Sequence, residues 1–253
     1  MRISITIALV GVLLSAIPLL RVEGKGVEAK EILARVDSVI DYPKGIVKGK
    51  IIHSHLDGKS FFIDIVGYIS DSEYLFSLSS RTRGDLMRVL YTHGGEDIWV
   101  YDISERKLSQ NIGADKFNTI LNTNFNFADL SNADLQRNYS AISMKSVTFE
   151  NDEIYKLQLE PVFRGGNYGM LTLYVRKRDL VPLRIDYFNN EKIFFKSISF
   201  TKTVMRGDRV FPVRYKMIDI ERETVSILFF TGFEENVHFD KRLFRHQNLH
   251  EKL

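Results

Sequence analysis

Two histidines separated by one residue, His53 and His55, have the spacing in this sequence that is best suited to binding a metal ion. On a β-strand, residues two apart point to the same side, so both imidazoles could reach one ion. The other four histidines have no ligand-like spacing. We therefore interpret His53 and His55 as polar residues on the surface of a strand, and we predict neither a metal site nor a cofactor.

Three further motifs invite a functional interpretation, and turn chemistry explains each of them. The glycine-rich stretch at 165–169 lies between two predicted strands, whereas a phosphate-binding loop leads into a helix. Arg-Gly-Asp occurs at 83–85 and at 206–208, at predicted strand boundaries where Gly and Asp form turns. The chain has no Gly-x-Ser-x-Gly motif and its carboxylates are scattered, so we predict no catalytic residues.

Aromatic residues are the more informative feature, since the chain contains 18 Phe and 11 Tyr. The stretch NFNFADLSNADLQRNYS, residues 124–140, places Phe125, Phe127 and Leu130 in an otherwise polar segment. Polar loops seldom hold two aromatic residues unless those residues cover something. Two interpretations stay open: an ordinary β core, or a lipid-sized pocket within a curved sheet of the kind that barrel-like folds enclose.

The elements that would position these residues are mainly strands. One amphipathic helix is predicted over 27–43, and after Gly45 the apolar period changes to two, which indicates half-buried antiparallel strands. We count about ten strands, with further helix only near 115–136. Several strands are apolar on both faces and must be covered or line a cavity. The predicted fold class is mostly β (α+β), built on one large curved antiparallel sheet.

The N-terminal residues 1–24 have the pattern of a secretory signal peptide, with Arg2, an apolar run over 3–20 and Gly24 at the cleavage position. The alternative is an uncleaved membrane anchor. We expect a single mature domain over 25–253. The chain has no cysteine, which excludes disulfides, and its net charge of +3 comes from interspersed acids and bases. No nucleic-acid partner is predicted.

Four motifs follow one another along the predicted domain. They are DIWVYD with Asp97, Trp99 and Tyr101; FNFADL over 125–130; LTLYVRKRDLVPLRIDYFN over 171–189; and LFRHQNL over 243–249. In this order they resemble the Asp-x-Trp-x-Tyr strand, the Phe-Ser-Tyr-x-Asp-Leu signature, the paired strands and the closing Phe-Thr-x-Arg-x-Leu motif of outer-membrane lipoprotein-sorting proteins, the LolA-like superfamily. The closing motif departs from the family at Arg245 and Gln247.

The resemblance implies an incomplete β-barrel, closed by a few helices over a hydrophobic cavity that takes acyl chains. It also implies a periplasmic protein that shuttles acylated lipoproteins or lipids toward the outer membrane, with an inner-membrane transporter or exporter as a candidate partner. The segment with Phe125, Phe127, Asp129 and Leu130 would be a lid, with Asp129 or Ser131 capping the helix that follows. The residues expected to bind the ligand are Trp99, Tyr101, Phe125, Phe127, Leu130, Leu173 and Tyr187.

Three functional hypotheses remain at this point. The first is the carrier, which would relieve a cost of about 0.8 kcal/mol for each acyl methylene exposed to water. The second is a periplasmic sensor or accessory subunit of a membrane exporter that uses the same lipid-binding fold. The third is an enzyme, which a metal at His53 and His55 would favour. The oligomeric state is not predicted.

Overall fold

The structure is a computed structural model, and it describes residues 25–131, 134–149, 152–163, 168–207 and 209–252. The predicted signal segment lies outside these residues. So do most of the glycine-rich turn at 165–169 and the aspartate of the second Arg-Gly-Asp motif.

Thirteen strands of the described residues form one antiparallel sheet, and two helices accompany it. The helices are α1 (Lys25–Ile40) and α2 (Leu135–Asn138). The strands are β1 (Gly45–His55), β2 (Ser60–Ile69), β3 (Tyr74–Ser80), β4 (Gly84–Thr92), β5 (Asp97–Asp102), β6 (Lys107–Asn111), β7 (Tyr139–Phe149), β8 (Asp152–Pro161), β9 (Met170–Arg176), β10 (Pro182–Phe188), β11 (Phe194–Arg206), β12 (Arg209–Asp219) and β13 (Thr224–Glu234).

The sheet is open, with β6 and β7 at its two edges. The spatial order is β6-β5-β4-β3-β2-β1-β13-β12-β11-β10-β9-β8-β7, so the first and last strands of the chain pair in the middle. The predicted antiparallel sheet is confirmed, with more strands than the ten expected. The polar strand β6 illustrates the difference, because its sequence KLSQN has no apolar alternation that would indicate a strand.

The two faces of the sheet carry different partners. We call the face that carries α1 and residues 118–131 the inner face, and the opposite one the outer face. Residues predicted to share a face do so: Ile63, Ile65 and Ile69 of β2 are all buried in the inner core. A smaller cluster forms on the outer face, where Phe244 and Leu249, which follow the last strand, pack against Leu75 of β3 and Leu90 of β4.

The sheet must be strongly curved, as an ion pair between its two ends shows. The strands β5 and β7 are eleven steps apart in the sheet, or about 53 Å if it were flat, at ~4.8 Å per step. Yet Glu96, one residue before β5, forms an ion pair with Arg137, two residues before β7. Three extended residues span about 11 Å, and two side chains cannot make up the difference. Curvature therefore brings the two halves of the inner face together.

The helix α1 lies against the inner face, in contact with α2, β7 and β12. Its buried residues Ala29, Ile32, Leu33 and Val36 follow the helical period and join the inner core. The helix ends at Ile40, before the proline of DYP.

The start of the short helix α2 corrects one prediction. Its first backbone N–H groups, those of Leu135 and Gln136, donate to the two carboxylate oxygens of Asp37 in α1, at 2.8 and 2.9 Å. Asp129 or Ser131 was expected to cap this helix, and both make other bonds instead. The carboxylate from α1 satisfies the first N–H groups of α2 and also ties the two helices together.

Candidate functional site

Residues 118–131, which we call the plug, cross the inner face and bring most of the predicted ligand-binding residues together. Phe125, Phe127 and Leu130 are 1%, 4% and 3% exposed, and they pack in the same core as Leu173 and Tyr187. The aromatic residues of this polar segment cover the inner face of the sheet, where their side chains are buried in the core. That the five residues bind a ligand stays a prediction.

The polar residues of the plug fasten it to the middle of the sheet. The backbone N–H of Asn124 donates to Ser226 Oγ at 2.9 Å, and its side-chain amide donates to the Thr224 carbonyl at 2.9 Å. The Thr224 hydroxyl donates back to Asn124 Oδ1 at 2.6 Å. Asn124 therefore fastens the plug to β13, while the neighbouring Phe125 packs in the core.

Two further side chains hold the plug. The Arg222 guanidinium donates to the carbonyl oxygens of Asn122 and Thr123, at 2.9 Å each. Further along, the hydroxyl of Tyr91 donates to the Phe127 carbonyl at 2.9 Å. Burial raises the pKa of Tyr91, so its hydroxyl keeps the proton that this bond requires.

A buried ion pair joins the plug to β11. Lys196 Nζ lies 2.7 Å from Asp129 Oδ2, and both side chains are less than 5% exposed. The Tyr168 hydroxyl donates to Asp129 Oδ1 at 3.0 Å and accepts from Lys196 Nζ at 3.0 Å and from Asn126 Nδ2 at 2.6 Å. Burial raises the pKa of Tyr168, which therefore stays neutral. Each charged atom has partners, as a buried pair requires.

The placement predicted for Trp99 and Tyr101 is wrong. They share a face of β5, as expected, but it is the outer face, where they pack against the cluster around Phe244 and Leu249. The Trp99 indole stacks on the His246 imidazole, with ring centroids 3.9 Å apart and planes 9° apart. The C-terminal segment covers this side of the sheet, so neither residue lies beneath the plug.

The prediction of two surface histidines is wrong for His53 and right for His55. His53 is fully buried, with Nδ1 2.8 Å from Ser226 Oγ, whereas His55 is exposed. The Nε2 atom of His53 has no hydrogen-bond partner among the described residues. Burial, helped by His55 and Arg222, lowers the pKa of His53 to about 4. Across residues 25–131 and the other described ranges, no group of three or more potential metal ligands converges.

We expect His53 to make stability depend on pH. Its pKa is about 4 when folded and ~6.5 when unfolded, so the unfolded chain binds the proton first as the pH falls. The contribution of neutral His53 is complete above pH ~6.5 and is lost progressively toward pH ~4. Urea unfolding at pH 7 and pH 5 should show a smaller pH effect for His53→Gln than for wild type. The exposed His238 provides the control, because it is not among the groups that shift the pKa of His53, and His238→Gln should keep the wild-type difference. An equal pH effect in all three proteins would contradict the assignment.

An apolar opening lies between the β1–β2 turn and the β3–β4 turn, and we call it the notch. It exists because pairing of β2 with β3 begins at Asp64, so Ser60 to Ile63 extend past the end of the neighbouring strand. Its volume is about 800 Å³. Its apolar walls are Ile52, Phe61, Phe62, Ile63, Leu86, Leu121 and Phe229. Periodicity could not find this site, because it depends on where two strands stop pairing.

The tip of the plug borders the notch in an unusual conformation. Leu121 and Asn122 line the notch and have positive φ angles of 47° and 61°. A left-handed conformation is uncommon for a branched residue such as Leu, and it persists where surrounding contacts enforce it. Here Arg222 supplies such contacts through the carbonyls of Asn122 and Thr123. The tip is therefore a strained part of the plug, next to an opening.

A second cavity, of about 630 Å³, lies near the two open edges of the sheet. Tyr139, Tyr168 and Tyr187 form part of its wall, and the mouth carries charges of both signs, including Glu96 and Arg137. Of the predicted ligand-binding residues, only Tyr187 lines it.

A match to a protein-family model covers most of the chain. A family model with the description "-like: Uncharacterized protein" matches residues 71–251, which is most of the chain. The chain belongs to this family. The matched range contains the plug and the C-terminal segment, and it covers β3 to β13. No curated protein matches the chain.

Solved structures confirm the resemblance to the LolA-like superfamily as a likeness of fold. A putative outer membrane lipoprotein-sorting protein domain from Vibrio parahaemolyticus has a TM-score of 0.76 at 15% identity, covering 90% of this chain and 99% of that one. A DUF1329 family protein from Desulfovibrio piger has a TM-score of 0.75 at 17% identity, covering 88% and 98%. A LolA superfamily protein from Nitrosomonas europaea has a TM-score of 0.69 at 16% identity, covering 86% and 97%. None of the helices in the described ranges is long and apolar enough to cross a membrane.

Proposed function

We propose that the protein is a periplasmic carrier that binds acyl chains of lipoproteins or lipids and shuttles them toward the outer membrane. The observation that carries the proposal is the notch, an apolar opening of about 800 Å³ that leads from the surface toward the inner core. This volume lies in the range of small-molecule pockets, roughly 300–1,000 Å³. The likeness of fold to a lipoprotein-sorting domain supports the same function.

The physical advantage of such a site comes from the apolar chain. Each methylene removed from water contributes about 0.8 kcal/mol, so a long chain loses on the order of 10 kcal/mol when it is exposed. Phe61, Ile63 and Leu86 offer an apolar wall on the inner side of the sheet. Phe62 points to the other side of β2, where it lines the notch beside Ile52 and is 55% exposed. An exposed apolar patch of this kind is typical of a ligand-binding surface.

The inner end of the proposed path is the plug. In the structure its apolar residues fill the inner face, so a long chain can pass beyond Leu121 only if the plug shifts. The strained tip at Leu121 and Asn122 is the part closest to the notch and the natural place for that movement to begin. Phe125, Phe127, Leu130, Leu173 and Tyr187 would then line the deeper part of the site, beneath α1 and α2.

The test is to identify what the protein carries. The protein should be purified from the periplasm without detergent and its bound molecules identified by mass spectrometry, alongside binding of a fluorescent neutral acyl probe. Acylated peptides would support lipoprotein transport, and free lipid would support lipid transport. Absence of bound lipid together with failure to bind the probe would overturn the proposal. A stable complex with one membrane protein in that case would favour the accessory-subunit function.

A further inference from the structure

The charges at the notch are all of one sign. Three cationic side chains line it, those of Lys50, Arg81 and Arg83, and no carboxylate among the described residues does. The second cavity differs, because both acidic and basic residues line it. An apolar cavity with a cationic rim is complementary to a molecule that combines an apolar chain with a negative charge.

Of the three cationic side chains at the notch, the two arginines are the ones available to bind a ligand. Lys50 is already paired with Asp64, at 2.9 Å. Arg81 and Arg83 are exposed, and neither has an ion-pair partner among the residues that the structure describes. The nearest acidic neighbour in the chain, Asp85, is directed to Arg88 instead, at 3.7 Å.

The turn that carries the arginines is well defined. The backbone N–H of Arg83 donates to Ser80 Oγ at 3.1 Å, and Ser80 pairs with Gly84 across the hairpin. Gly84 has a φ of 72°, which a glycine adopts without strain. The hairpin therefore presents both guanidinium groups at the mouth of the notch, where they can donate paired hydrogen bonds to a carboxylate or a phosphate.

We propose that the notch selects amphiphiles with an anionic head group. The head group binds Arg81 and Arg83 at the mouth, and the acyl chain lies along Phe61, Ile63 and Leu86. This inference rests on the proposed acyl-binding function and adds to it the class of ligand. A fatty acid carboxylate and a phospholipid phosphate share the chemistry that two arginines recognise.

The experiment compares three ligands with the same chain below their aggregation concentrations: hexadecanol, hexadecanoate and hexadecyl phosphate. For the wild type, titration calorimetry should give anionic ligands an affinity about tenfold higher than hexadecanol. The preference should shrink in high salt because exposed charges are screened. In Arg81→Gln/Arg83→Gln it should fall to within about twofold, with hexadecanol binding unchanged. Because a phosphate monoester carries nearly two charges at pH 7, hexadecanoyl lysophosphatidylglycerol, with one charge on its phosphate, separates the two sources. Tighter binding of it than of hexadecanoate would favour phospholipid, and weaker binding would favour fatty acid.

A charge-matched control is available on α1. Lys30 and Arg35 are exposed and do not line the notch, so Lys30→Gln/Arg35→Gln should keep the wild-type preference. Equal affinity of wild type for all three ligands would overturn the head-group inference but leave the acyl site standing. A preference that survives in the double arginine variant would overturn the assignment to Arg81 and Arg83. Failure of wild type to bind any of the three would instead overturn the proposed function.

Discussion

Lys196→Met should destabilise the protein by about 3–5 kcal/mol, since it leaves the Asp129 carboxylate buried without its cationic partner. Lys196 and Asp129 are 2.7 Å apart, and their side chains are 4% and 3% exposed. The double variant Lys196→Met/Asp129→Asn removes both charges, so it should be more stable than the single lysine variant. Equilibrium urea unfolding, followed by the fluorescence of Trp99, measures all the free energies in this cycle.

An exposed pair provides the comparison for that cycle. Lys177 and Glu153 are 3.2 Å apart, with side chains 23% and 74% exposed, so Lys177→Met should cost less than about 1 kcal/mol. If the effects of Lys196→Met and Asp129→Asn simply add in the double variant, the two residues are not energetically coupled. The ion pair would then not be what fastens the plug to β11.

Much of the inner face follows from the sequence because its cause is local. Alternation of apolar residues places Ile63, Ile65 and Ile69 on one side of β2, and the helical period of α1 identifies its buried stripe. The apolar load of NFNFADL correctly indicates a segment that covers something. The burial of these residues can be predicted because it depends on composition and apolar period, and both can be read from a short stretch of sequence.

The errors arise where distant parts of the chain decide the environment. Period two shows that Trp99 and Tyr101 share a face, but only the C-terminal segment, about 140 residues later, determines which face is covered. Lys196 pairs with Asp129 across 67 positions, with no local signal except a lysine inside a strand that is apolar on both faces. The burial of His53 could have been predicted, because period two puts it on the same face of β1 as the buried apolar residues Val47 and Ile51.

Phe62→Asp should lower the affinity for a neutral acyl probe at least tenfold while leaving the fold intact. A buried Phe side chain contributes about 1.5–3 kcal/mol of apolar contact, and tenfold in affinity corresponds to ~1.4 kcal/mol. Phe62 is 55% exposed without ligand, so the carboxylate stays in water until a chain arrives. Phe127→Asp cannot serve here, because Phe127 is 4% exposed and a charge in its place would be buried and unpaired.

Two exposed apolar residues outside the notch serve as controls for Phe62→Asp. Leu56 is 75% exposed in the turn beside the notch but does not line it, so Leu56→Asp adds the same charge and should bind the probe normally. Phe163 is 76% exposed and lines the second cavity, so Phe163→Asp should also bind normally. Thermal unfolding of all three variants checks that each is folded. If Phe163→Asp loses the probe and Phe62→Asp keeps it, acyl chains bind at the open edges of the sheet, where Tyr187 lies, and not at the notch.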